Sequence, residues 1–166
     1  MNYRHVTHES IPPFINANSK VLILGSLPSV KSLERSFFYA HPQNRFFKTL
    51  SSIFNEEEPK SSEDRKVFLD KHCIALYDVI YECDICGSSD SSIKNVVPIN
   101  LKQILKDYPN IRAIFLTGGK SLSLFDKYLS KDCEIPHISL PSTSPANAKI
   151  KQEELTEKYK IILKYL

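Results

Sequence analysis

Apolar positions fall in runs along this chain, and turn residues bound each run. Residues 20–25 (Lys-Val-Leu-Ile-Leu-Gly) read as a short buried strand that ends in a Gly-Ser-Leu-Pro turn. Residues 74–81 form a second run, either a strand or a strand followed by a turn. The clearest strand is residues 111–117, after which Gly118 and Gly119 turn the chain into a helix through about Ser130. Residues 136–140 are the last strand. Between these runs the apolar period changes to that of a helix. Phe46, Leu50 and Ile53 share one face over residues 44–54, and Leu155, Tyr159, Ile162 and Leu166 recur in a final amphipathic segment. A further helix is expected from Ser62 to about Lys71, and Asn100 can cap another that runs to about Lys106. Residues 83–92 read as a polar loop. Strands alternating with helices of this length argue for βαβ units and a parallel sheet covered on both faces. With no repeat and no long linker, residues 1–166 are expected to form one domain.

Composition adds limits rather than identity. The chain has 166 residues, 42% hydrophobic and 25% charged, which suits a globular chain with a real core. A net charge of +3 is compatible with a nucleic-acid partner but does not require one, so any basic patch must come from arrangement. Of the cysteines at 73, 83, 86 and 133, only Cys83 and Cys86 have metal-site spacing. Structural zinc takes four ligands, usually as two such pairs, so buried or half-buried thiols and no metal are expected. No secretory segment stands at the N-terminus, and nothing approaches the ~18 apolar residues of a membrane span. The expected setting is cytoplasmic, nucleoid-associated if the source is bacterial or archaeal.

The chemistry concentrates in two loops, each following a predicted strand. One runs from Gly25-Ser26-Leu27-Pro28 on to residues 39–47, and the other covers residues 140–147; both are rich in Ser, Pro, Asn and Ala. Open α/β sheets bind ligands at such strand ends, and the two loops suggest a cleft for a polyanion and a base. Gly119-Lys120-Ser121 looks like the end of a phosphate-binding loop, but that loop needs a glycine where Ile114 stands. No G-x-S-x-G nucleophile elbow exists in a chain with 4 glycines. His41 and His137 flank the two loops, where a lone histidine is more often structural than catalytic. Asn44 keeps two readings open: a helix cap, or an amide that orients a water by accepting its hydrogen bond.

Together these motifs resemble the uracil-DNA glycosylase superfamily, and in detail its hypoxanthine-DNA glycosylase family. The resemblance rests on Gly25-Ser26-Leu27-Pro28, on Tyr39-Ala40-His41-Pro42-Gln43-Asn44-Arg45-Phe46, and on Leu140-Pro141-Ser142-Thr143-Ser144-Pro145-Ala146. Tyr77-Asp78-Val79-Ile80, Gly87-Ser88-Ser89-Asp90 and Asn95-Val96-Val97-Pro98 fit the intervening pattern, which makes Asp78 and Asn95 secondary site residues. The His-Pro-x-Asn-Arg-Phe core is shared with mismatch-specific uracil and thymine glycosylases. In all, the similarity spans roughly residues 20–148.

The resemblance implies a three-layer α/β/α sandwich around a mostly parallel four-stranded sheet. It also implies a monomeric, monofunctional DNA glycosylase that hydrolyses the N-glycosidic bond of a deaminated base in DNA, hypoxanthine first, without metal or cofactor. Leu27 stands where most relatives carry a water-holding Asp or Asn, and the resemblance moves that catalytic role to Asn44. Leu140 replaces a histidine that would donate to the leaving base, which predicts weak uracil activity. Gly25, Ser26, Leu27, Pro28, Tyr39 and His41 would form the base pocket, with Tyr39 either stacking on the extruded base or packing in the core. Ser142, Thr143 and Ser144 suit phosphate contacts. Ala146 and Asn147 occupy the place of an intercalating wedge without its bulk, which favours mispaired or single-stranded substrates. Ser29 in place of a glycine and Phe47 in place of a tryptophan are further departures. The alternatives are a uracil, xanthine or mismatch glycosylase, or a nucleic-acid-binding relative without activity.

Overall fold

The computed structural model describes residues 2–87 and 89–166; Ser88, in the expected Gly87–Asp90 motif, lies outside the described residues. Continuous apolar runs with no polar face make strands that are buried on both sides. Strands β2 (Val21–Gly25), β3 (Ile74–Asp78) and β6 (Ala113–Thr117) are of this kind, and β7 (His137–Leu140) is a more exposed edge. Their order is β3-β2-β6-β7, and every neighbouring pair is parallel. At the other edge, β3 is covered by Phe14, which exchanges two backbone hydrogen bonds with Leu76.

Helices α1 (Val30–Arg35), α2 (Phe46–Ile53) and α3 (Ser62–Lys71) link β2 to β3. Helix α4 (Leu101–Asp107) leads into β6, and α5 (Gly119–Tyr128) links β6 to β7. The two crossovers travel in opposite directions from the middle of the sheet. Right-handed connections therefore place their helices on opposite faces, which gives the three-layer α/β/α sandwich. The same topology opens a crevice between the C-terminal ends of β2 and β6, where successive connections diverge. Helix α6 (Gln152–Tyr159) returns to pack on α2, with Leu155, Tyr159 and the following Ile162 fully buried, as the periodicity predicted.

Several expectations need correction. A second sheet, antiparallel in the order β1-β4-β5, joins β1 (Arg4–Thr7), β4 (Ile80–Ile85) and β5 (Lys94–Pro98). Residues 83–92 are therefore not all loop, because Cys83–Ile85 complete β4. The run at 74–81 is two strands in different sheets, separated only by Val79. That switch holds the end of β2 in place: Val79 N–H donates to the Gly25 carbonyl at 2.8 Å, and Ile80 N–H to the Ser26 carbonyl at 3.0 Å. Helix α1 was not predicted; Ser29 starts it by accepting the Ser32 N–H. The last helix gives way at Lys160–Tyr165 to 3-10 turns. Cys83 is buried and the four cysteines are free, and no group of three or more His, Cys, Asp or Glu among the described residues is arranged to hold a metal. No helix among the described residues is long and apolar enough to cross a membrane.

Candidate active site

The C-terminal ends of all four parallel strands surround one cavity of about 230 Å³. Its floor is residues 25–28, and Asp78, Thr117 and residues 142–145 supply the other strand ends. Gly25 is required here by a close approach, because a Cβ would sit 2.4 Å from Asp78 Oδ1. Gly118 is required for two reasons: its φ is +99°, and a Cβ would press on Ser142 at 3.2 Å.

Tyr39 lines the cavity from a left-handed conformation, φ 52°, that a bulky residue adopts only under constraint. Its ring stacks on Phe46 with centroids 3.8 Å apart, and its hydroxyl lies 3.0 Å from Thr117 Oγ1. Burial, with the charge on Asp78 adding to it, raises the Tyr39 phenol well above its ordinary pKa, so it stays neutral. His41 accepts the Gln43 N–H on Nδ1 at 3.1 Å, which leaves Nε2 as the nitrogen able to carry the proton of the neutral ring.

Asn44 joins the two loops. Its Oδ1 accepts the Phe46 N–H at 2.9 Å in an Asx turn at the start of α2, and accepts the Thr143 hydroxyl at 2.8 Å from across the cavity. An amide carbonyl has two lone pairs, so both acceptor positions are filled. The group left to act is Nδ2, which has no hydrogen-bond partner among the described residues and belongs to a residue lining the cavity. Asn44 is thus tied into the helix start through its carbonyl oxygen.

Arg45 reinforces the connection. Its backbone N–H donates to the Thr143 carbonyl at 3.1 Å, and its guanidinium donates to the Ile150 carbonyl at 2.8 Å and the Asn147 carbonyl at 3.1 Å. Ser142 Oγ accepts the Ser144 N–H, Ser144 Oγ accepts the Ala146 N–H, and Asn147 Nδ2 donates to the Ser142 carbonyl. The 142–147 loop is therefore folded on its own side chains. Thr143 is buried with its hydroxyl committed to Asn44. Ala146 and Asn147 lie outside the cavity, on a wider groove of about 1040 Å³ that shares Ser26, Thr117, Ser142 and Ser144 with it and carries Lys120 and Lys158 on its walls. Leu140 is buried beneath that groove, and Leu27 is half-buried on the cavity floor.

The structure brings Gly25, Ser26, Leu27, Pro28, Tyr39, His41, Asn44, Asp78 and residues 142–144 to one cavity. Asn95 is elsewhere: it is exposed on β5, where its amide donates to Asp84 Oδ2 at 2.8 Å. The sequence carries no sign of a role for Arg45 beyond its place in the motif, and none for His8. His8 is buried with Nε2 2.9 Å from Asp78 Oδ2. A histidine just before an irregular stretch carries no local sign of a partner on another sheet.

Fold and site define a doubly wound α/β protein whose cavity opens at the switch point of its parallel sheet. The chain belongs to the uracil DNA glycosylase superfamily, whose family model matches residues 12–165. It is similar to a protein of Methanosarcina barkeri (strain Fusaro) named hypoxanthine DNA glycosylase, 36% identical over 115 residues that cover 68% of this chain and 72% of that one. A Methanosarcina acetivorans protein of the same name is 28% identical over 147 residues, 88% of this chain and 92% of its own. A solution NMR structure of a candidate uracil DNA glycosylase from Methanosarcina acetivorans superposes with a TM-score of 0.77 at 25% identity, covering 92% of this chain and 96% of that one.

Proposed function

We propose that this protein is a monofunctional DNA glycosylase that releases hypoxanthine from DNA, acting as a single-domain monomer where cytoplasmic or nucleoid DNA is exposed. The observation that carries this reading is the Asn44–Thr143 hydrogen bond, which draws the two motif loops around one cavity. Two similar proteins carry the name hypoxanthine DNA glycosylase, which supports that base.

The target nucleotide leaves the stack and enters the cavity. Tyr39 offers it an aromatic face; such a stack contributes about 1–3 kcal/mol and tolerates many bases. As the glycosidic bond lengthens, positive charge grows on the sugar and negative charge on the base; water then bonds to C1′ and loses a proton, and the departing base takes up a proton on nitrogen. Leu140 supplies no donor, so the donors of the first loop, Asn44 Nδ2–H and His41 Nε2–H, are the groups placed to stabilise the departing base. A fixed donor at a developing charge is worth about 10²–10³ in rate. Thr143 is a positioning residue for Asn44. The hydroxyls of Ser142 and Ser144 and the cationic walls of the adjoining groove suit the DNA backbone, while Ala146 and Asn147 face the strand without a wedge.

The test is release of base from matched oligonucleotide duplexes and single strands carrying hypoxanthine, uracil or xanthine, followed by alkaline scission at the abasic site. Hypoxanthine should be released first, and uracil much more slowly. Preferential release of uracil would transfer the assignment to that base, and DNA binding without any release would identify a non-catalytic relative.

A further inference from the structure

Tyr39 is unusual in two ways that the mechanism above does not use. Its φ of 52° is left-handed, although the residue is bulky and is not glycine. Its ring lies flat on Phe46, with centroids 3.8 Å and planes 10° apart, a squarer pairing than the offset or edge-to-face contacts that aromatic rings prefer. The neighbouring pairs Phe37–Phe38 and Phe46–Phe47 do meet edge to face. Two such departures at one residue persist only where the surroundings impose them.

The constraint lies at the far end of the ring. The Tyr39 hydroxyl is 3.0 Å from Thr117 Oγ1, a residue 78 positions away. Thr117 Oγ1 is in turn 3.4 Å from the Leu24 carbonyl, which also accepts the Ser121 hydroxyl at 2.8 Å. A carbonyl can only accept, so the order in which each hydroxyl has an acceptor runs from Tyr39 to Thr117 to Leu24. Leu24 and Thr117 belong to β2 and β6, the two central strands of the parallel sheet. The ring is therefore fixed by its backbone at one end, by Phe46 on one face and by the sheet at its tip. Its other face meets no aromatic ring among the described residues, and Tyr39 lines the cavity.

We infer that Thr117 is a positioning residue for base release, one that pins the Tyr39 hydroxyl so that Tyr39 and Phe46 stand as a ready stack for the extruded base to join. The inference rests on the glycosylase reading above and adds a residue that acts through Tyr39. Stacking needs rings held parallel and in contact, and a platform already in place spares the ordering of a loose side chain when the base arrives. Without Thr117 Oγ1 the hydroxyl loses its partner, and the ring can tilt into the space of about 230 Å³ that the base must fill.

The experiment is a double-mutant cycle on single-turnover release of hypoxanthine from DNA, run beside calorimetric binding of free hypoxanthine. Thr117→Val keeps the shape and removes the hydroxyl, and should slow release about 3- to 10-fold, the worth of one hydrogen bond. Thr117→Ser puts a hydroxyl back and should recover most of that loss. In a Tyr39→Phe background there is no hydroxyl to pin, so Thr117→Val should change the rate by less than about twofold. Free hypoxanthine should bind more weakly to Thr117→Val by a factor similar to the loss in rate, and thermal unfolding checks that each variant folds. Equal slowing by Thr117→Val in both backgrounds would mean that Thr117 supports the sheet or meets the substrate itself, and would overturn the inference. So would Thr117→Ser as slow as Thr117→Val, or Thr117→Val as fast as the wild type. A wild type that releases no base, yet binds hypoxanthine more tightly than Thr117→Val does, would sink the glycosylase reading and leave the stack standing. One that neither releases nor binds the base would overturn both.

Discussion

Gly25 shows how one missing atom holds the cavity in shape. The residue is buried at the end of β2, and a Cβ would meet Asp78 Oδ1 at 2.4 Å, with the buried His8 ring 2.9 Å from Oδ2 of the same carboxylate. Overpacking of that kind costs about 1–3 kcal/mol. Gly25→Ala should be less stable by that amount in chemical denaturation and slower in hypoxanthine release by about tenfold or more; unchanged excision would mean that Asp78 can move without consequence. The glycine was readable in the sequence as a turn residue after an apolar strand, but the carboxylate above it was not. Nor were Asp78 beside His8 and Thr143 beside Asn44, because each is reached across a gap in sequence that no local pattern spans. The Asn44–Thr143 bond joins residues 99 apart, and no local pattern announces it.

At the scale of elements, Arg45 fastens the start of α2 to the loop that follows β7, and Tyr159 of α6 adds a hydrogen bond to the Pro141 carbonyl at 2.6 Å. Three carbonyls, of Thr143, Asn147 and Ile150, take their donors from Arg45 alone or in part. The two guanidinium bonds, to Ile150 and Asn147, are charge-assisted and each contributes more than a neutral one. Arg45→Ala should lower stability by about 2–3 kcal/mol and speed amide exchange across residues 141–150, with base release falling in parallel. Exchange that stays slow would show the loop to be held by its own serine and asparagine turns. Buried strands and amphipathic helices were readable because their apolar periods are long and their ends carry Gly, Pro or Asn. The antiparallel sheet was not, since β1 offers Val6 as its one buried residue, and β5 ends in Pro98 with Lys94 and Asn95 exposed.

Over the whole molecule, the order β3-β2-β6-β7 carries the argument from sequence to site. Divergent crossovers bring four strand ends to one crevice, and the short antiparallel sheet places His8 beside Asp78. The alternation of strands and helices made the parallel sheet readable in advance. How the loops lock together depends on side chains that only the folded chain places side by side. The central claim is that Asn44, with both lone pairs of its carbonyl occupied, promotes base release through its NH2 group. Asn44→Asp tests it most directly, because a carboxylate keeps both acceptor contacts, to Phe46 N–H and the Thr143 hydroxyl, and removes the donor. Measured as single-turnover release of hypoxanthine from DNA, Asn44→Asp and Asn44→Ala should both be slower than the wild type by about 10² or more, while Asn44→Asp unfolds at the wild-type temperature. Release by Asn44→Asp at or above the wild-type rate would contradict the account, since it would mean that this position works by accepting a hydrogen bond from water.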